Sequence, residues 1–178
     1  MRIISGKLRG IHMLAPANLP VRPTTDQAKE SLFNILQNQF DFEDCEILDL
    51  FSGTGSVSIE FASRNASLVQ SIDKHPGCIK WLEAVKNKYN LVQIQTLKAD
   101  VFKYLEIYKK PYDIIFADPP YDLPTIPLIP KLVAENKLLK KDGVLIVEHP
   151  KFLKLHNLPG YTETRTYGNS AFSFFSEA

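Results

Sequence analysis

Asp118-Pro119-Pro120-Tyr121 is the stretch of this 178-residue chain best equipped for chemistry. Its two prolines fix φ and leave their carbonyls free as acceptors. Asp118 adds a carboxylate, and Tyr121 adds a flat π face. Acceptors beside a stacking ring suit a planar amine. A nucleobase with an exocyclic amino group meets that description, because its NH2 donates two hydrogen bonds while its ring stacks. The same four residues also fit a strand that ends in an Asx-Pro turn, with Tyr121 packed as core.

A second set is Asp49-Leu50-Phe51-Ser52-Gly53-Thr54-Gly55-Ser56. Gly53 and Gly55 allow a tight turn and a close backbone approach to a ligand, ahead of a helix whose free N–H groups face the same place. Asp73 stands 20 residues after Gly53, where an acid accepts hydrogen bonds from ribose hydroxyls. Asp100, in Lys98-Ala99-Asp100-Val101, is placed to meet the exocyclic amine of an adenine. A nucleotide-derived cofactor follows, either a dinucleotide or S-adenosylmethionine. Against the dinucleotide, the loop has two glycines with Ser58 in the third place, and Asp49 interrupts the apolar run. An acid at Asp49 suits an α-amino group and a sulfonium, and sits badly beside a pyrophosphate. No Gly-Lys-Ser/Thr follows the loop, which removes nucleoside triphosphate hydrolysis.

These residues need a scaffold that brings strand ends together. Ile47 to Phe51, Leu68 to Ile72, Val92 to Leu97, Tyr112 to Ala117 and Val144 to Glu148 are five strand candidates. Between them lie the helix-length segments Ser56 to Arg64, Pro76 to Lys88, Val101 to Tyr108 and roughly Ile129 to Leu139. Such alternation gives a parallel sheet with right-handed crossovers, and its strand tips line one crevice. Tyr161 to Tyr167 and Ala171 to Phe175, around Gly168-Asn169, read as a terminal antiparallel hairpin. Arg2 to Ile4 and Leu8 to Leu14, around Ser5-Gly6-Lys7, read as a small amino-terminal hairpin. Pro16, Pro20 and Pro23 extend the chain into a helix from Thr24, the expected N-cap with Gln27 in capping-box position, to about Gln39. Residues 1–23 are thus an arm and linker, and 24–178 a single catalytic body. The loop after Tyr121, crowded by Pro124, Pro127 and Pro130, is a candidate lid.

Composition narrows the class. At this length the chain is one domain that buries roughly 70% of its unfolded surface. Cys45 and Cys78 have no C-x-x-C spacing, and His12, His75, His149 and His156 are scattered, so neither a disulfide framework nor a metal site is expected. No run approaches a membrane span and no signal peptide is visible, which places the protein in the cytoplasm. Net charge is +1. Yet residues 1–25 hold Arg2, Lys7, Arg9 and Arg22 and no acid, a basic arm suited to phosphates or simply a solvated tail.

Asp49 to Ser56, Asp73, Asp100 and Asp118 to Tyr121 stand in the order found in class I S-adenosylmethionine-dependent methyltransferases that modify exocyclic amino groups. More narrowly the chain resembles the bacterial small-subunit ribosomal RNA guanine-N2 methyltransferases, the RsmD family. That likeness rests on Arg2-Ile3-Ile4-Ser5-Gly6-Lys7-Leu8-Arg9-Gly10, and on Arg22-Pro23-Thr24-Thr25-Asp26 followed by Lys29-Glu30-Ser31-Leu32-Phe33-Asn34. It departs at Gln27-Ala28, where the family more often has a basic and then an aliphatic residue.

The resemblance implies a Rossmann-like, mostly parallel seven-stranded sheet and methylation of N2 of a guanine in 16S rRNA, number 966 in the family's naming. It implies a catalytic Asp118, Pro119, Pro120 and Tyr121. It also implies cofactor contacts from Asp49, Phe51, Ser52, Gly53, Gly55, Ser56, Asp73, Lys74, Asp100, Val101 and Thr25. Arg2, Lys7, Arg9 and Arg22 are assigned to RNA phosphates, on a monomer acting on a ribosomal particle. Two other readings stay open: a DNA adenine-N6 methyltransferase, for which the chain has no room for a target-recognition region, and a silent RNA-binding assembly factor.

Overall fold

Strands β1 (Glu46–Leu50) and β4 (Tyr112–Ala117) pair in parallel at the centre of the sheet. Both faces of these strands are covered, so every residue but Glu46, Asp49 and Asp113 is apolar or aromatic, the pattern of a strand flanked by helices on each side. The computed structural model describes residues 1–22 and 24–177; Pro23 of the expected linker lies outside the described residues. The other elements are α1 (Asp26–Gln37), α2 (Ser56–Ser63), β2 (Leu68–Asp73), α3 (Pro76–Tyr89), β3 (Ile94–Lys98), α4 (Val101–Ile107), α5 (Leu128–Glu135), β5 (Leu139–Pro150), β6 (Tyr161–Tyr167) and β7 (Ser170–Ser176).

The strand order is β3-β2-β1-β4-β5-β7-β6, with β1 to β5 parallel and β6 and β7 antiparallel. This is the Rossmann-like, mostly parallel seven-stranded sheet with a terminal antiparallel hairpin that the resemblance implies. Because neighbouring residues of a strand point to opposite faces, Ile47, Ile114, Phe116 and Ile146 pack with α1, α2 and α3, whereas Leu48, Leu50, Ile115, Leu145 and Val147 pack with α4 and α5. Full burial of one such side chain contributes about 1.5–3 kcal/mol. Among the described residues no helix is long and apolar enough to cross a membrane.

Several boundaries differ from expectation. Helix α1 is capped by Thr25, whose hydroxyl accepts from Ala28 N at 3.2 Å. The shift from Thr24 takes Gln27 out of the third helical position, so no capping box forms, and the helix stops at Gln37. Strand β3 starts at Ile94, with Val92 exposed. Strand β5 begins at Leu139, since Tyr112 pairs with Leu139 across an irregularity before the regular register resumes at Val144. Helix α5 is accordingly confined to Leu128–Glu135.

The expected amino-terminal hairpin is present in reduced form, as a looped segment docked on the body. One bridge joins Arg2 to His12, and turns fill the segment between. Its apolar residues Ile3, Leu8 and Met13 enter the core beside α1 and α2. Ile4 N and Ser5 N each donate to the Glu60 carboxylate at 3.0 Å, and Lys7 N donates to Ser63 O at 2.8 Å. Gly6 has φ +81°, and a Cβ there would sit 1.9 Å from Ser63 O, so both backbone angle and space require glycine.

Candidate active site

The carboxyl ends of β1, β2 and β4, with the turns that follow, open on a cleft of about 730 Å³. Strand β4 delivers Asp118, and Pro119 and Pro120 end the ladder there because neither can donate to it. Asp118 N instead donates to Leu50 O at 3.4 Å, tying the motif to the tip of β1. Asp118 to Tyr121 all line the cleft, so this is a site wall and not a turn closed over by core.

The register Ala117↔Val147 sets Asp118 alongside Glu148 of β5. Glu148 is buried, its Oε1 accepts from Tyr121 Oη at 3.3 Å, and its Oε2 has no hydrogen-bond partner. Tyr121 Oη also bonds Ser170 Oγ at the start of β7. Burial first, then the facing Glu148, raises Asp118 well above the usual carboxylate range. Burial likewise raises Glu148, against the lowering effect of the Arg22 charge. Two facing carboxyls shielded from water do not both ionise freely, so each is pushed above its ordinary range.

The other half of the cleft is built on the β1–α2 turn. Phe51, Gly53 and Gly55 have positive φ, at 58°, 55° and 78°. Gly53 N donates to Asp73 Oδ2 at 2.9 Å, and His75 N donates to Asp73 Oδ1 at 2.8 Å, so Asp73 clamps the glycine turn while keeping an open lone pair on each oxygen. Asp49 is buried under the turn, and Ser58 Oγ donates to it at 2.5 Å. Burial pushes its carboxyl up to about 7, although the Ser58 hydrogen bonds oppose that. Asp100 caps α4 by accepting from Lys103 N at 3.1 Å. Asp100 and Val101 line the cleft with Phe51, Ser52, Ser56 and Lys74.

Four expected site residues stand elsewhere. Thr25 turns its hydroxyl to cap α1, and Thr24 takes the place on the cleft wall. Gly55 directs its missing side chain at Leu82, where a Cβ would come within 2.5 Å, so it shapes the turn from behind. Arg2 pairs with Asp26 at 3.3 Å. Arg22 lies inside the cleft, with its guanidinium 3.5 Å from the centroid of the Tyr121 ring. Lys7 and Arg9 remain exposed on the docked loop. Sequence reasoning missed Glu148 as a site residue, although it ends the fifth expected strand, Val144 to Glu148, as Asp118 follows the fourth. It also missed Lys29, buried beneath the β1–α2 turn, whose Nζ donates to Ser56 Oγ at 3.2 Å and Arg2 O at 2.7 Å and pairs with Glu60 at 3.4 Å.

Compared with known proteins, residues 1–176 match the family model described as Conserved hypothetical protein 95. The chain belongs to this family, the RsmD methyltransferases. Two relatives are called ribosomal RNA small subunit methyltransferase D. The one from Buchnera aphidicola subsp. Baizongia pistaciae is 30% identical over 153 residues, covering 86% of this chain and 78% of the relative. The one from Escherichia coli K12 is 29% identical over 150 residues, covering 83% and 74%. Among solved structures, the hypothetical protein TTHA0928 of Thermus thermophilus superposes with a TM-score of 0.86 at 26% identity, over 100% of this chain and 99% of that one. The T. thermophilus 16S rRNA N2 G1207 methyltransferase RsmC, solved with AdoMet and guanosine, shares the fold with a TM-score of 0.72 at 21% identity, over 90% and 45%.

As an RsmD-family member the protein is an S-adenosylmethionine-dependent methyltransferase, and its own residues fit that cofactor. Asp49 is a carboxyl buried in the wall that a cationic ligand would ionise. At Gly53, where φ is +55°, an added Cβ would press to 3.2 Å from Val21 Cγ1, so backbone angle and space together keep this cleft-lining turn free of a side chain.

Proposed function

We propose that the protein methylates N2 of a guanine in small-subunit ribosomal RNA, acting as a monomer on a protein-bearing particle, with guanine 966 of the family's naming as the target. The observation that carries this reading is the meeting, in one cleft, of the Asp118 carboxyl, the Pro119 carbonyl and the Tyr121 ring with the Asp49–Gly53–Asp73 half.

S-adenosylmethionine supplies, when bound, a methyl group on a sulfonium that leaves as a neutral thioether. Asp49 meets the charged amino acid end of the cofactor, Asp73 the ribose, and Asp100 with Val101 the adenine. Phe51, Ser52, Ser56 and Lys74 close the walls around it. On the substrate side, Tyr121 stacks the base after it leaves the RNA helix. Asp118 and the Pro119 carbonyl each accept from the exocyclic amine, which turns the nitrogen lone pair toward the cofactor. The amine needs no strong base before attack, because its proton can leave after the new bond forms. The Asp118–Glu148 pair is placed to take that proton. Positioning supplies most of the acceleration, for which about 7–11 kcal/mol is available from correct geometry.

Small ribosomal subunits lacking the native modification, incubated with S-adenosylmethionine carrying a labelled methyl group, should yield label in N2-methylguanosine. Asp118→Ala should lose a hundredfold or more in rate, an order of magnitude taken from losses of transition-state hydrogen bonds, while cofactor affinity changes little. Full turnover by that variant, or label in adenine of DNA run in parallel, sinks the assignment.

A further inference from the structure

The Arg22 guanidinium lies 3.5 Å from the centroid of the Tyr121 ring, the distance of a stacked planar group. Both residues line the cleft, so the guanidinium covers a face of the ring within it. This is the face on which the base is seated in the reading above. Beside the ring stand the Asp118 and Glu148 carboxyls, both eased toward ionisation by the Arg22 charge, and Glu148 Oε2 is buried without a donor. A stacking ring beside one half-buried and one buried carboxyl is a receptor for a flat group carrying N–H donors on its edge. Guanidinium is such a group. Guanine is another, because its N1, C2, N2 and N3 atoms form a guanidine unit with donors at N1 and N2.

We propose that Arg22 occupies the base position in the free protein, and that the target guanine enters by exchange with it. The proposal rests on the guanine reading and adds a step to it: the base competes with a side chain of the protein itself. The exchange releases the Arg22 cation at the mouth of the cleft, where phosphates flanking the extruded nucleotide take it up. The pocket is thereby kept stacked and charge-balanced until RNA arrives. Adenine, with an acceptor at N1, replaces the guanidinium less well than guanine does.

The test is binding of free guanosine and free adenosine to the full chain loaded with S-adenosylhomocysteine, comparing wild type with Arg22→Ala. The variant should bind guanosine roughly two- to thirtyfold more tightly, the range a cation–π contact allows, and Tyr121→Leu in the same background should abolish the gain. In parallel, the Arg22 side-chain proton resonances of the free wild type should show a ring-current displacement that disappears as guanosine is added. A gain for adenosine and none for guanosine would uphold the exchange and remove the guanine assignment. No gain for either nucleoside, or weaker binding by the variant, would overturn the exchange, as would Arg22 resonances unmoved by Tyr121→Leu.

Discussion

Asp49 shows how a single carboxyl changes character with its surroundings. Buried and bonded to Ser58, it keeps its proton to about pH 7, whereas in the unfolded chain it titrates near 3.8. The folded state therefore binds more protons across that window, and stability contributed by the protonated form is present at low pH and lost as pH rises from about 4 to about 7. The full effect is at most roughly 4 kcal/mol, from about 1.4 kcal/mol per pH unit. Asp49→Asn cannot ionise, so its stability relative to wild type should rise across this window. Urea midpoints measured at pH 4 and pH 8 check this, and a constant difference between the two proteins would contradict it. Asp118 and Glu148 push stability in the same direction, which is why the comparison with the variant is needed to isolate Asp49.

At the scale of elements, the buried charges beneath α2 bind three pieces of chain together. Glu60 takes Ile4 N, Ser5 N, Lys29 Nζ and Arg64, with Arg64 Nη2 at 2.9 Å. Burial lowers the Lys29 pKa, and Glu60 is the chief influence raising it again. Glu60→Gln would leave the Lys29 ammonium buried without its counter-charge, at a cost of about 3–5 kcal/mol. Denaturant unfolding should show that loss, and a change below about 1 kcal/mol would mean that the cation is solvated in another way. None of this was legible in the sequence, because Lys29 and Glu60 are 31 positions apart and each looks like an ordinary surface residue of an amphipathic helix. The parallel strands were legible because their apolar runs are short, dense and followed by turn residues. The Asp118 motif, the glycine turn and Asp73 could be read for the same reason, each standing directly after a recognisable strand. Glu148 could not, since its role depends on the β4–β5 register. Neither could the early start of β5, whose residues Lys140 to Gly143 are charged or small and lack alternation.

For the molecule as a whole, the near-neutral net charge conceals a division of labour among the basic residues. Arg2 is paired with Asp26 and Arg22 is stacked on Tyr121, although both are exposed, while Lys7 and Arg9 stand exposed on the docked loop. Replacing both by alanine should reduce the slope of log affinity for the RNA against log salt by about 1.4–1.8, at roughly 0.7–0.9 per phosphate contact. Filter binding across a salt series measures this, and an unchanged slope would place the phosphate contacts elsewhere on the surface. The fastening of that loop to α2 has a further consequence, for the order of events during synthesis. Its backbone groups are held by the side chains of Glu60 and Ser63, 55 to 58 positions along the chain. During synthesis this loop therefore has nothing to fold against until α2 has emerged behind it, and over that interval it stays open to proteases and chaperones.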